Sequence, residues 1–189
     1  MLMLDDIDDD LRSRIYRQVT AGKWQYGWKS NRATDQYSFL HQHYAGHEKP
    51  DHEGVKPYDC ESELLGANQV LVELWDALKD KCERLRSHHL IRCYANGYPY
   101  GTDGTVHTDT INPLGLTTIF YPHEKWSPDW GGETVFFTSD LSDTTDIAYP
   151  RPGRVIIFHG KIPHVARGVS RSCPVMRITL MFKSEPMAC

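Results

Sequence analysis

His107, Thr108 and Asp109 stand together in a polar stretch of strand-like composition, and a second, isolated histidine, His164, follows much further along the chain. Two imidazoles and one carboxylate form the ligand set that holds non-haem Fe(II) on one face and leaves positions open for a cosubstrate and oxygen. On an extended segment residues two apart project to the same side, so His107 and Asp109 point together while Thr108 faces away. His164, after the turn-like residues 160–163, completes the set from a distant strand. An HxD triplet alone recurs by chance, and a histidine between Pro163 and Val165 is ordinarily a packed one, so the weight rests on what accompanies them. Arg177 lies in the apolar run 174–182, where a bare guanidinium is costly without a partner. A bound carboxylate would satisfy it, and Thr179, on the same face by alternation, adds a hydroxyl.

The elements that must position these residues fall into two halves. Leu4, Ile7, Leu11 and Ile15 recur at helical spacing, and the aspartates between Asp5 and Asp10 suit a helix start. Trp24, Tyr26, Trp28, Tyr37 and Phe39 show too little period to assign. Residues 61–85 place Leu64, Leu71, Leu74, Trp75, Leu78, Cys82 and Leu85 on one helical face, which predicts a long amphipathic helix covering a sheet. From residue 90 onward, runs rich in β-branched and aromatic residues alternate with Gly, Pro, Asn and Asp, the pattern of many short strands. These runs are 90–94, 105–109, 116–121, 134–137, 154–158 and 175–182. The expectation is a mainly β sandwich or closed barrel in a single domain, with 1–86 as helical support and 88–183 as the core.

With 189 residues, 40% of them apolar, the chain can bury one sizeable core. A net charge of −4 gives no electrostatic footprint for nucleic acid or an anionic membrane surface, and no apolar stretch is long enough for a spanning helix. Five cysteines without CxxC spacing argue against a disulfide framework or zinc knuckle and for reduced, cytoplasmic thiols. The first ten residues are acidic and lack the pattern of a secretory signal. His41, His43, His47 and His52 form a cluster whose Gly- and Pro-containing surroundings read as a surface loop, and whose ligand spacing matches no recognised site.

His107-Thr108-Asp109, His164 and Arg177, with Gly131-Gly132-Glu133-Thr134 and Pro152-Gly153-Arg154-Val155, resemble the Fe(II)- and 2-oxoglutarate-dependent dioxygenases, in order and spacing most like the prolyl-hydroxylase-like branch. The resemblance spans roughly residues 88 to 183. It implies a double-stranded β-helix, a jelly roll of cupin-like architecture buttressed by amino-terminal helices. It further implies that His107, Asp109 and His164 ligate Fe(II) and that Arg177 pairs with the far carboxylate of 2-oxoglutarate. Tyr121 matches a tyrosine that helps hold that carboxylate in the branch, and Tyr94 matches a cosubstrate-pocket position. Both tyrosines are otherwise read as core residues. The implied reaction consumes O2 and 2-oxoglutarate, releases succinate and CO2, and oxidises a substrate C–H bond. Because halogenating relatives replace the carboxylate, Asp109 points to hydroxylation, or to a related desaturation or ring closure.

The loop 122–131 carries His123, Trp126 and Trp130 and leaves the strand bearing Tyr121, so His123 and Trp130 are candidates for substrate contact. Trp28, with Asn31 and Arg32, is a further rim candidate, although packing is the commoner role of isolated tryptophans. The absence of a basic groove or an appended domain favours a small-molecule substrate such as an amino acid or biosynthetic intermediate. A prolyl or other residue of a protein is the alternative. Two other classes compete: a cupin-like metal binder or isomerase, which has no need of Arg177, and a zinc hydrolase, for which Glu133 is the one nearby carboxylate and points outward by alternation.

Overall fold

The computed structural model describes residues 1–31, 34–46 and 59–187. In chain order the elements are β1 (Leu2–Leu4), α1 (Asp9–Ala21), β2 (Gln25–Trp28), β3 (Phe39–Gly46), α2 (Cys60–Ala67), α3 (Gln69–Lys81), α4 (Glu83–Arg86), β4 (His88–Tyr98), β5 (Leu116–Phe120), β6 (Thr134–Phe137), β7 (Thr144–Ala148), β8 (Val155–His159), β9 (His164–Ala166) and β10 (Arg177–Pro186). Every strand pairing between them is antiparallel. One sheet runs β1-β8-β5-β10-β4-β3-β2 and the other β7-β6-β9, and together they form the double-stranded β-helix.

The alternation of the central strands decides what faces what. On β4, Cys93 and Ala95 turn toward the helices, while Tyr94 turns toward the small sheet; on β10, Leu180 and Phe182 take the helix side and Met181 the other. The helix-side core gathers Ile15, Leu64, Leu74, Trp75 and Leu78 against Leu180 and Phe182. A smaller core between the sheets contains Ile119, Tyr121, Phe136, Ile156 and Phe158. Trp75 anchors the larger layer: it is 1% exposed, its ring stacks on Phe182 at 5.7 Å, and its indole N–H donates to Glu61 at 2.9 Å. Trp75→Ala is expected to lower the unfolding free energy by about 3–5 kcal/mol, since the vacated volume cannot collapse between helix and sheet. Urea denaturation measures it, and a loss under about 1 kcal/mol would contradict this packing.

The acidic start behaves as a helix cap. The Asp8 carboxylate accepts from the Leu11 backbone N–H at 2.9 Å, with Asp9 and Asp10 in the first turn. Leu4, however, belongs to β1 and pairs with Val155, so the apolar period began one strand too early. The long helix expected over 61–85 is three helices. Gly66 and Ala67 lead into Asn68, whose backbone leaves the helical region at φ −142° and ψ 55°, and Cys82 leaves it again at φ −127° and ψ 106°. The amino-terminal part is also not helical throughout: β1, β2 and β3 extend the large sheet on both edges. His41 and His43 therefore stand on a strand rather than in the loop expected for the histidine cluster, while His47 and His52 lie outside the described residues, as does Arg32.

Candidate active site

Residues 105–109 are not a regular strand. His107 makes a single bridge to His164, each donating its backbone N–H to the other's carbonyl at 3.0 Å, and the Asp109 N–H reaches the Gly160 carbonyl at 2.7 Å. These pairings bring the three side chains together where ladder alternation was expected to do so. Gly160 permits the approach: a Cβ there would meet Thr110 at 2.6 Å and the Asp109 side chain at 3.4 Å.

The ligand atoms of His107, Asp109 and His164 lie within 4.8 Å of one another. Nε2 of His107 is 3.6 Å from one Asp109 oxygen, and Nε2 of His164 is 3.4 Å from the other. Each Nδ1 lies 2.9 Å from a backbone carbonyl, that of Thr105 for His107 and that of Ile162 for His164. A carbonyl can only accept, so Nδ1 carries the proton and both Nε2 lone pairs face the carboxylate. Three acceptors converging in this way fit a divalent cation. Burial opposes charging of His107, but its contacts with Asp109 outweigh that and raise its pKa above the ordinary value. His164, more deeply buried, is pulled down to about 4. Burial also works against ionised Asp109, yet Lys183 and the two imidazoles hold it well below the usual carboxylate range.

Lys183 was not foreseen. Its ammonium ion-pairs with Asp109 and lies 3.0 Å from the Thr117 hydroxyl, which itself donates to the same Asp109 oxygen at 2.7 Å. Burial, partly offset by Asp109, lowers the lysine pKa. The signal was present in the sequence, because continuing the alternation of Arg177, Thr179 and Met181 by one step puts Lys183 on the inward face.

Arg177 is 1% exposed and lines the same cavity of about 1100 Å³ as the triad. Its Nε donates to the Gly132 carbonyl at 2.5 Å and its Nη2 to the Thr134 hydroxyl at 2.9 Å, whereas Nη1 is buried with no hydrogen-bond partner. Its guanidinium carbon lies 5.6 Å from the rings of both Tyr98 and Tyr121. The Gly131-Gly132 pair builds the cradle. Both residues have positive φ, 66° and 82°, and a Cβ at Gly132 would press on Arg177 and Trp126 at 3.1 Å. Tyr121 is fully buried and meets the Thr134 hydroxyl at 2.7 Å, so it joins Arg177 through Thr134 as well as by its ring. Tyr94, Tyr98 and Thr179 line the cavity; Tyr98 had not been singled out.

The rim candidates divide. Trp28 lines the cavity and stacks on His41 at 4.0 Å, and Asn31 also reaches the lining. His123 and Trp130 do not. His123 is buried behind Arg177, where its Nε2 accepts the Ile178 backbone N–H at 2.8 Å and its ring packs against Trp126 at 4.4 Å. Trp130 ends a short 3-10 turn with its edge against Trp126, whose own packing role is as expected. The loop 122–131 is thus folded onto the back of the arginine cradle instead of over the cavity mouth. Glu133, the carboxylate considered for a hydrolytic site, likewise stands outside the lining.

Burial and the nearby Arg177 push His123 down to about 3. The unfolded chain takes up a proton below about pH 6.5 and the folded one does not, so this stabilisation is complete above 6.5 and is lost as pH falls toward 3. Relative to His123→Gln, which cannot titrate, the wild type is expected to lose about 2 kcal/mol between pH 7 and pH 5. Paired urea titrations read the difference, and a constant gap would refute the buried neutral imidazole.

Residues 91–182 match the family model of the 2OG-Fe(II) oxygenase superfamily. Among solved structures, the chain resembles a Pseudomonas putida prolyl-4-hydroxylase at 16% identity and TM-score 0.63, over 99% of this chain and 92% of that one. It also resembles a Trichoplax adhaerens prolyl hydroxylase in complex with a hypoxia inducible factor oxygen degradation domain peptide fragment, at 18% identity and TM-score 0.66, over 98% and 83% of the two chains. A third similar structure is the viral collagen prolyl hydroxylase of Paramecium Bursaria Chlorella virus-1, at 12% identity and TM-score 0.62, over 98% and 96%. At these identities the likeness is one of fold. No curated protein sequence matches. Over 92 of its 189 residues the chain is thus similar to the 2OG-Fe(II) oxygenase superfamily. It is an oxygenase that uses Fe(II), 2-oxoglutarate and O2, and no described helix is long and apolar enough to cross a membrane.

Proposed function

We propose that this oxygenase hydroxylates an unactivated C–H bond of a small molecule, such as an amino acid or biosynthetic intermediate, and that the described fold is one catalytic domain. The observation that carries the cosubstrate assignment is the buried, unpartnered Nη1 of Arg177 in the cavity that holds the triad. A guanidinium N–H without an acceptor is costly, and a carboxylate resolves it with a charge-assisted fork.

In this reading His107, Asp109 and His164 would hold Fe(II). Arg177 anchors the far carboxylate of 2-oxoglutarate, steadied by Gly132 and Thr134, with Tyr121 holding the Thr134 hydroxyl from behind. Tyr94 and Thr179 wall the cosubstrate's path. When bound, the metal with 2-oxoglutarate and O2 supplies the oxidant that converts C–H to C–OH and releases succinate and CO2. The protein's part is orientation: the Thr105 and Ile162 carbonyls fix both histidine tautomers, and Thr117 and Lys183 occupy one oxygen of Asp109. The buried apolar residues Ile119 and Met181 keep water from this region.

Buried free thiols at Cys60, Cys82 and Cys93 support a reducing compartment such as the cytoplasm. The test is anaerobic titration of 2-oxoglutarate into Fe(II)-loaded protein, followed by the visible charge-transfer band of a chelated keto acid. The band is expected, and its absence with iron bound would overturn the reading. Succinate release measured with free amino acids and with proline-containing peptides then separates a small-molecule from a peptidyl substrate.

A further inference from the structure

Arg92 and Lys183 are direct neighbours across β4 and β10, two like charges on the inward faces of adjacent strands. Such a pairing is unfavourable unless anions compensate it. Lys183 has Asp109. Arg92 has no ion pair among the described residues, and its Nε and Nη2 are buried without a hydrogen-bond partner. These two nitrogens form one edge of the guanidinium, the pair of parallel N–H groups that a carboxylate meets bidentately. The plane is gripped by aromatic rings, with its carbon 4.3 Å from the Tyr94 ring and 5.0 Å from that of Trp28. That grip fixes the fork and leaves its edge to be matched by an occupant of the cavity.

We infer that Arg92 binds the carboxylate of the substrate, and that the substrate is a free carboxylic acid. This rests on the oxygenase reading and deepens it. Arg177 is already committed to Gly132 and Thr134 at the other end of the inward face of β10, six positions from Lys183, so the two arginines serve different carboxylates. Lys183 is the cross-strand neighbour of Arg92 and the ion-pair partner of Asp109, and all three line one cavity, so the substrate carboxylate shares that cavity with the metal-binding carboxylate. Within a polypeptide only an acidic side chain or the carboxyl terminus presents a carboxylate to such a fork, whereas every free carboxylic acid carries one. Trp28 covers the face of the fork from the edge strand β2, where it is itself stacked on His41 at 4.0 Å.

The experiment is calorimetric titration of the full chain, loaded with redox-inert Zn(II) and saturating 2-oxoglutarate. The probes are proteinogenic amino acids and short aliphatic and aromatic monocarboxylic acids, each paired with its primary carboxamide. At least one acid is expected to bind at least about tenfold more tightly than its amide. Arg92→Gln should weaken that acid by about 30-fold or more, leaving the amide and 2-oxoglutarate within about twofold. Equal affinity of acids and amides, absence of binding by every acid, or an acid preference that survives in Arg92→Gln overturns the assignment. The keto-acid charge-transfer band, measured separately, distinguishes the two failures. Its absence in the wild type removes the oxygenase reading, and its presence without an acid preference removes the role of Arg92 alone.

Discussion

Arg177→Met is expected to raise the 2-oxoglutarate concentration for half-saturation by roughly 30- to several-thousand-fold, with stoichiometric Fe(II) binding retained. The range follows from about 2–5 kcal/mol for truncating one partner of a buried, hydrogen-bonded charge pair. Methionine fills much of the same space, so the cavity wall survives, but the Gly132 carbonyl and the Thr134 hydroxyl lose their donors. Urea denaturation run alongside accounts for that loss. Arg177→Lys should fall between the two, because an ammonium keeps the charge without the planar fork. Equilibrium titration of 2-oxoglutarate under anaerobic conditions measures the effect. Unchanged affinity in a folded variant would make Arg177 a structural tie for the Gly131-Gly132 turn and move the anchoring role elsewhere.

The second large effect is at Asp109. Asp109→Ala removes one of three converging acceptors and is expected to abolish stoichiometric iron binding and coupled succinate release. It also strips Lys183 of its counter-charge in a buried site, at a cost of about 3–5 kcal/mol. These two losses separate in the double variant Asp109→Ala, Lys183→Met. Removing the stranded ammonium should restore most of the stability while iron binding and activity stay absent. Metal analysis and urea midpoints on the four proteins of the cycle measure both. Full activity in Asp109→Ala would exclude the triad, and failure of the second substitution to recover stability would show that Lys183 carries no unpaired charge in the single variant.

The chemistry of this site was easier to read from the sequence than its geometry. The triad and Arg177 were legible because their types are expensive or rare in an apolar β context, and the order of the pieces along the chain carried the family. The strands 134–137 and 154–158 were legible to within a residue, since turns bound them on both sides. What failed was whatever depended on long-range pairing. Residues 105–109 look like a strand by composition, yet His107 has one bridging partner and converges with Asp109 through contacts to His164 and Gly160. His123 looked like a substrate-contact residue because it follows Tyr121 into a polar loop. Its actual place, accepting the Ile178 N–H, depends on that loop folding under β10, which no local pattern records. The amino-terminal strands were hidden for a similar reason: Gln25–Trp28 alternates poorly because three of its four residues are exposed at a sheet edge.

Those edges matter for how the protein behaves in crowded solution. A seven-stranded sheet offers two rows of unsatisfied backbone groups on which other chains can template. Here one row is only three residues long, at Leu2–Leu4. The other is four residues long and broken by Gly27, whose φ of 111° accompanies the slip in register between Tyr26 and Trp28. Neither margin presents the long, flat ribbon that nucleates fibrils. The same short, kinked margins that make the amino-terminal strands hard to recognise thus guard the large sheet against stacking onto its own kind.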